Sequence, residues 1–173
     1  MGFHKILVAF DGSEDSVKAL KQAIHMKADQ QGELCIVTVI KEHGGEPVFT
    51  EPFAPTHMAV TGIGTNPVPA APPPDVGSDK VETLRKYHER EIQEEGEKIL
   101  AVARATLNAN HVQASMKVLQ GEPAKAICSH AAVNGFDLIV IGNRGLSGLK
   151  KMMMGSVSEK VVQHAECPVL IVK

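Results

Sequence analysis

Asp137-Leu138-Ile139-Val140-Ile141-Gly142-Asn143-Arg144-Gly145, followed by Gly155-Ser156-Val157-Ser158, is the stretch that decides the fold. Leu138–Ile141 is apolar at every position. A strand with one face in water alternates apolar and polar residues, whereas a strand covered on both faces does not need to. The run therefore reads as a buried parallel strand. It stops at Gly142, and a helix opens at Gly155-Ser156, so a glycine-bearing loop joins the two.

Working outward, three more runs have the same character: Ile6–Phe10, Leu34–Ile40 and Val169–Val172. Val112–Leu119 differs, because Val112, Ala114, Met116 and Val118 alternate with Gln113, Ser115 and Lys117. That pattern predicts a half-exposed strand at a sheet edge. Helical patterns fill the gaps. Ser13 is placed to cap a helix with Glu14 and Asp15 in its first turn and Val17, Leu20 and Ile24 on one face. Ser78 or Asp79 can cap a long helix to about Leu107, with Val81, Leu84, Ile92, Ile99 and Val102 near helical spacing. Gly121-Glu122-Pro123 starts a third helix with proline in the first turn, turning Ala124, Ile127 and Ala131 inward. A fourth begins near Ser156, carries Val157, Val161 and Val162, and ends at Cys167-Pro168. Such alternation predicts an α/β fold, a doubly wound five-stranded parallel sheet with helices on both faces. In that architecture ligands sit beyond the carboxyl ends of the strands, where strand order reverses.

The 173 residues predict one domain, 1–173, interrupted by a proline-rich insert at about 41–78 that holds eight of the ten prolines. The insert reads either as a surface excursion or as a lid or partner contact. Apolar residues make up 43% and charged residues 22%, ordinary for a globular domain. A net charge of −2 gives no basic field for nucleic acid or anionic membrane. With no Trp, one Tyr and five Phe, there is little to stack against single-stranded bases. No apolar stretch approaches the ~20 residues of a membrane span, and MGFHKILVAF lacks the pattern of a secretory leader. The expectation is a cytoplasmic protein whose three cysteines, Cys35, Cys128 and Cys167, are small buried hydrophobes. The eight histidines show no metal-ligand spacing, and Glu89, Glu91, Glu94, Glu95 and Glu97 read as one solvated helix face.

Two places can carry chemistry. The first is the glycine loop. Glycines let backbone N–H groups approach a ligand closely, and a helix start adds unpaired N–H groups and partial positive charge. Gly142, Gly145, Gly155, Ser156, Val157 and Ser158 can thus form a phosphate site, helped by Arg144, Lys150 and Lys151. The same glycines can also simply make the turn. Neither GxxxxGK[ST] nor GxGxxG after a strand is present. The second place is Asp11, at the end of the first strand. It can accept hydrogen bonds from a sugar or base, help hold a metal ion, or bond its own turn backbone. No GxSxG elbow supports a serine nucleophile.

The chain resembles the universal stress protein family over nearly its whole length apart from 41–78. The carriers are Ile6-Leu-Val-Ala-Phe-Asp11-Gly-Ser13-Glu, Gly121-Glu-Pro123, Asp137 through Gly145, Gly155-Ser156-Val157-Ser158, and Cys167-Pro-Val-Leu-Ile-Val172. The ATP-binding branch is marked by Gly-x2-Gly-x9-Gly-Ser/Thr, intact here as Gly142, Gly145, Gly155 and Ser156. The resemblance implies an ATP site, or one for AMP or ADP, with Mg possible near Asp11. Ala9, Phe10 and Asp11 would line the adenosine part, and Val39 would touch adenine. Ile141 and Gly142 would meet base and ribose. Arg144, Gly145, Gly155, Ser156, Val157 and Ser158 would hold the phosphates. It also implies a homodimer through the last strand. The function expected is a regulatory nucleotide-binding stress protein with little or no catalysis. The alternatives are a slow ATPase or nucleotide-dependent enzyme, and an interaction module with a vestigial pocket.

Overall fold

The structure, a computed structural model, describes residues 3–27, 32–41, 78–145 and 154–173. The insert predicted at 41–78 falls outside these residues except at its two ends, as do Lys150 and Lys151. Five parallel strands are present: β1 (Lys5–Ala9), β2 (Glu33–Ile40), β3 (Ser115–Gln120), β4 (Leu138–Gly142) and β5 (Val169–Val172). Helices α1 (Glu14–Met26), α2 (Ser78–Ala109), α3 (Pro123–Val133) and α4 (Ser156–His164) alternate with them. Strand order is β3-β2-β1-β4-β5. Chain order reverses between β1 and β4, which pair in register Ile6 with Leu138 through Ala9 with Ile141. At the amino end of this pair, the Asp137 carboxylate accepts the backbone N–H groups of His4 at 2.8 Å and Lys5 at 3.0 Å, which holds the two strands level.

The continuous apolar runs are explained by burial on both faces. Ile6, Val8, Leu34, Ile36, Leu138 and Val140 face α1 and α2, meeting Leu20, Leu100, Ala103 and Leu107. Leu7, Ala9, Cys35, Val37, Ile139 and Ile141 face α3 and α4, meeting Ala124, Ile127, Ala131 and Val161. The strand period of two therefore divides each run between two cores. Ser13 caps α1, its side chain accepting the Ser16 N–H, and Glu122 caps α3 with proline in the first turn, as the sequence indicates.

Four expectations shift. The buried stripe of α2 is Ile92, Leu100, Ala103 and Leu107, while Leu84 and Val102 are exposed. The helix outruns the sheet, so its apolar residues near the start have nothing described to cover them. Ser78 and Asp79 lie inside α2 rather than before it. β3 starts at Ser115 instead of Val112. The Val112 N–H returns to the Leu107 carbonyl at 3.1 Å and the His111 N–H to Asn108 at 3.1 Å, with His111 left-handed at φ 54°. This is a Schellman closure, and it occupies the backbone that a longer strand would need. On α4, Val162 is exposed and the buried residues are Ser158 and Val161.

Where α2 crosses β3, Gly96 leaves no room for a side chain. A Cβ there would run into both Cγ atoms of Val118. Val118 is β-branched and stiff, so it cannot turn aside. Gly96→Ala gains about 1 kcal/mol of helix propensity and meets an overpacking cost of about 1–3 kcal/mol. We expect a net fall in melting temperature, and a smaller or reversed effect in a Val118→Ala background. Thermal melts of the four proteins check this; a rise for Gly96→Ala alone contradicts it.

Candidate functional site

The two loops that leave β1 and β4 meet at the reversal point. Beyond β1, Gly12 takes φ +82°, a turn that leads into α1. Asp11 Oδ1 accepts the Ser13 N–H at 3.0 Å, so the turn role of Asp11 is real. Ser13 Oγ accepts the Ser16 N–H at 3.2 Å and donates to the Arg144 carbonyl at 3.2 Å. One hydroxyl thus caps a helix and ties the two loops together. On the other side, the Asn143 N–H donates to Val172 at 2.7 Å, and the Gly155 N–H donates to Asn143 at 2.8 Å. Ser158 is buried, and its hydroxyl donates to the Gly142 carbonyl at 2.7 Å. Its proton is therefore spent inside the protein.

The motif glycines have a reason within the protein. A Cβ on Gly142 would stand 2.8 Å from the Asp15 carbonyl carbon and 2.9 Å from the Ser16 nitrogen. On Gly145 it would strike the Asp11 carboxylate. On Gly155 it would lie 3.2 Å from the Asn143 carbonyl oxygen and 3.4 Å from Arg144 Cα. The glycines let α1 press against the end of β4 and let the two loops close on one another.

That closure leaves a cavity of about 410 Å³ at the carboxyl ends of β1, β2 and β4. Twelve of the residues singled out in the sequence line it, namely Ala9, Phe10, Asp11, Val39, Ile141, Gly142, Arg144, Gly145, Gly155, Ser156, Val157 and Ser158; Lys150 and Lys151 lie outside the described residues. Its size falls within the usual range for small-molecule sites. The sequence did not single out Thr38, Ile40, Lys41, Ile99 or Pro123 for the site, nor Glu95, read as part of a solvated face; all six line the cavity as well. Lys41 follows the last residue of β2, a strand-end position that could have been flagged by the same rule that flagged Asp11. Glu95 and Ile99 come from α2, whose rotation about its axis no local pattern reports. Among the described residues no histidine lines this cavity.

The wall formed by α4 is electrostatically distinct. The start of α1 is closed by Ser13, and that of α3 by Glu122, whose carboxylate accepts the Lys125 N–H at 2.8 Å. This bond is the main cause holding the Glu122 carboxyl below its ordinary range. The cap of α4 is Gly155, which offers no side chain. The amides of Ser156, Val157 and Ser158 thus begin the helix without a capping side chain, which makes the cavity wall an anion-favouring surface. Burial pushes all three cysteine thiols up, so none is poised as a thiolate, and all three are free of disulfides. Among the described residues no group of three or more His, Cys, Asp or Glu side chains could hold a metal ion. Among them, too, no helix is long and apolar enough to cross a membrane.

Comparison with known proteins gives one family. The model described as "Universal stress protein family" matches residues 2–61 and 65–173. The universal stress protein YxiE of Bacillus subtilis is 42% identical over 171 residues, covering 99% of each chain. The solved structure of hypothetical protein MJ0577 aligns with a TM-score of 0.67 at 24% identity, over 100% of this chain and 97% of that one. A universal stress protein solved in complex with cAMP aligns with a TM-score of 0.60 at 22% identity, over 100% and 99%. The family match spans nearly all of the sequence, and the fold agrees with it: the chain belongs to the universal stress protein family.

Proposed function

We propose that this chain is an adenine-nucleotide-binding regulatory protein, with ATP as the favoured ligand and little or no catalysis. The observation that carries the reading is the cavity at the reversal point, walled by an α4 start that has no capping side chain. The apolar side, with Ala9, Val39 and Ile141, suits a base. Asp11 suits a ribose, and would face a magnesium ion carried in with the phosphates. The helix start and Ser156 suit phosphate. The cAMP held by a fold relative supports the ligand class. Binding rather than catalysis is favoured because Asp11, the carboxylate at the reversal point, is partly engaged by its own turn. Nucleotide occupancy would act by favouring one conformation or partner. We read residues 1–173 as one domain of a cytoplasmic protein.

Two outcomes test this. ATP at about a hundredfold over its Kd should stabilise the fold by about 2.7 kcal/mol, or roughly 5–10 °C in melting temperature. Absence of any shift contradicts the reading. Ser156→Asp separates binding from folding. A carboxylate at a helix start is favourable by about 0.3–1 kcal/mol, so the melting temperature should hold or rise. The same charge opposes phosphate at close range, so ATP affinity should fall at least about tenfold. Calorimetric titration giving unchanged affinity would show that phosphate does not lie there.

We also propose a homodimer through β5. Among the described residues this strand pairs only with β4 and leaves one edge open. Val169, Leu170, Ile171 and Val172 are all half-buried. An apolar open edge invites pairing with a second copy. Light scattering should give a dimer mass at micromolar concentration; a monomer mass contradicts it.

A further inference from the structure

The cavity does not end at the α4 start. Past Ser156, Val157 and Pro123 it adjoins a second cavity of about 500 Å³, and these three residues and Lys41 line both. The charged lining of the second cavity is Lys41, Glu122 and Lys160. Lys41 stands just beyond the carboxyl end of β2. Lys160 lies one helical turn after Ser156, so the two share a face of α4. Among the described residues Glu122 carries the one negative charge of this lining, and it is already engaged twice: it accepts the Lys125 N–H at 2.8 Å to cap α3, and it pairs with Lys160 at 3.3 Å. The Lys160–Glu122 pair is half-exposed on both sides. Exposed pairs of this kind contribute little and exchange easily. The Lys160 ammonium has three donors and this pair uses one, so it can turn to an arriving anion. Among the described residues no ion pair engages Lys41, and their charges in this lining leave one surplus positive.

We propose that Lys41 and Lys160 receive the distal phosphates of the ligand, and so make this protein select a nucleotide by the length of its phosphate chain. This inference rests on the nucleotide-binding reading above and adds specificity to it. The base and ribose occupy the first cavity, and the first phosphate meets the amides at the α4 start. Each further phosphate extends over Ser156 toward the two ammonium groups, adding negative charge where they stand. A monophosphate stops short of them. The preference is therefore for a nucleoside triphosphate over the diphosphate, and for the diphosphate over the monophosphate.

The test is calorimetric titration of the full chain with AMP, ADP and ATP, with chelator present so that no divalent cation masks the phosphates. The proteins are wild type, Lys41→Met, Lys160→Met, the double variant, and Lys160→Arg. Methionine keeps length and removes charge, and both lysines are surface-exposed, so the fold should persist. The wild type should bind ATP tighter than ADP and ADP tighter than AMP. Each methionine should cost about tenfold or more in ATP affinity and leave AMP within about twofold, with Lys160→Arg retaining the preference. Equal losses for AMP and ATP, or no loss for ATP, would overturn this inference while leaving nucleotide binding intact. Wild-type protein that binds none of the three, with chelator or with magnesium supplied instead, would overturn the nucleotide reading, and this one with it.

Discussion

A side chain at position 142 would stand 2.8 Å from the backbone of Asp15. Much of the site is arranged around its absence. Because Gly142 has no Cβ, the first turn of α1 rests directly on the end of β4. Because Gly145 has none, the Asp11 carboxylate can occupy the space beside it. Ser13 then reaches the Arg144 carbonyl, and Gly155 reaches Asn143. Two loops far apart in sequence are fixed against each other by the close approaches at Gly142 and Gly145 and by Ser13, and Gly155 folds the second loop back on itself. The interlock gives the Gly-x2-Gly-x9-Gly-Ser pattern a role before any ligand is considered. A glycine substitution here would thus disturb the cavity wall itself, and loss of binding in such a variant would not by itself place a phosphate.

The interlock is supported from the other end of the sheet. Asp137 holds the starts of β1 and β4 level through two backbone N–H groups, and both strands are buried on both faces. Buried strands of Val, Ile and Leu pack at crystal-like density and transmit displacement rather than absorb it. The carboxyl ends of the strands are therefore placed with little freedom. A site formed in advance loses less ordering entropy when a ligand arrives. The anion-favouring wall follows from the same chain of causes: Gly155 must approach Asn143, so it carries no side chain, and a residue without a side chain cannot cap α4.

The sheet was legible because burial on both faces removes polar residues from a strand, as in Leu138–Ile141. The caps were legible because Ser13 and Glu122-Pro123 satisfy local backbone needs that depend on neighbours in sequence. Asp11 and the glycine loop stand out because strand ends and helix starts converge where the chain order reverses, while Ala9, Phe10, Val39 and Ile141 are marked only by the family resemblance; all of them line one cavity. Position in the lining does not fix the role of each one, as Ser158 illustrates: its hydroxyl faces Gly142, not the cavity. What escaped was tertiary. The rotation of α2 depends on its contact with β3 through Gly96, so Leu84 and Val102 looked like core and are exposed. The start of β3 depends on the Schellman closure at His111, a conformation uncommon outside glycine. Lys41 could have been flagged as a strand-end residue, but its sharing a cavity lining with Lys160 is a tertiary fact.

The central claim is that the interlocked loops hold an adenine nucleotide. Mass spectrometry of small molecules released on denaturing the freshly purified protein tests it most directly. An adenine nucleotide should be released in amounts comparable to the protein. Release of no nucleotide, from protein that also fails to take one up when ATP is supplied, would contradict it and leave the cavity a feature of the fold alone.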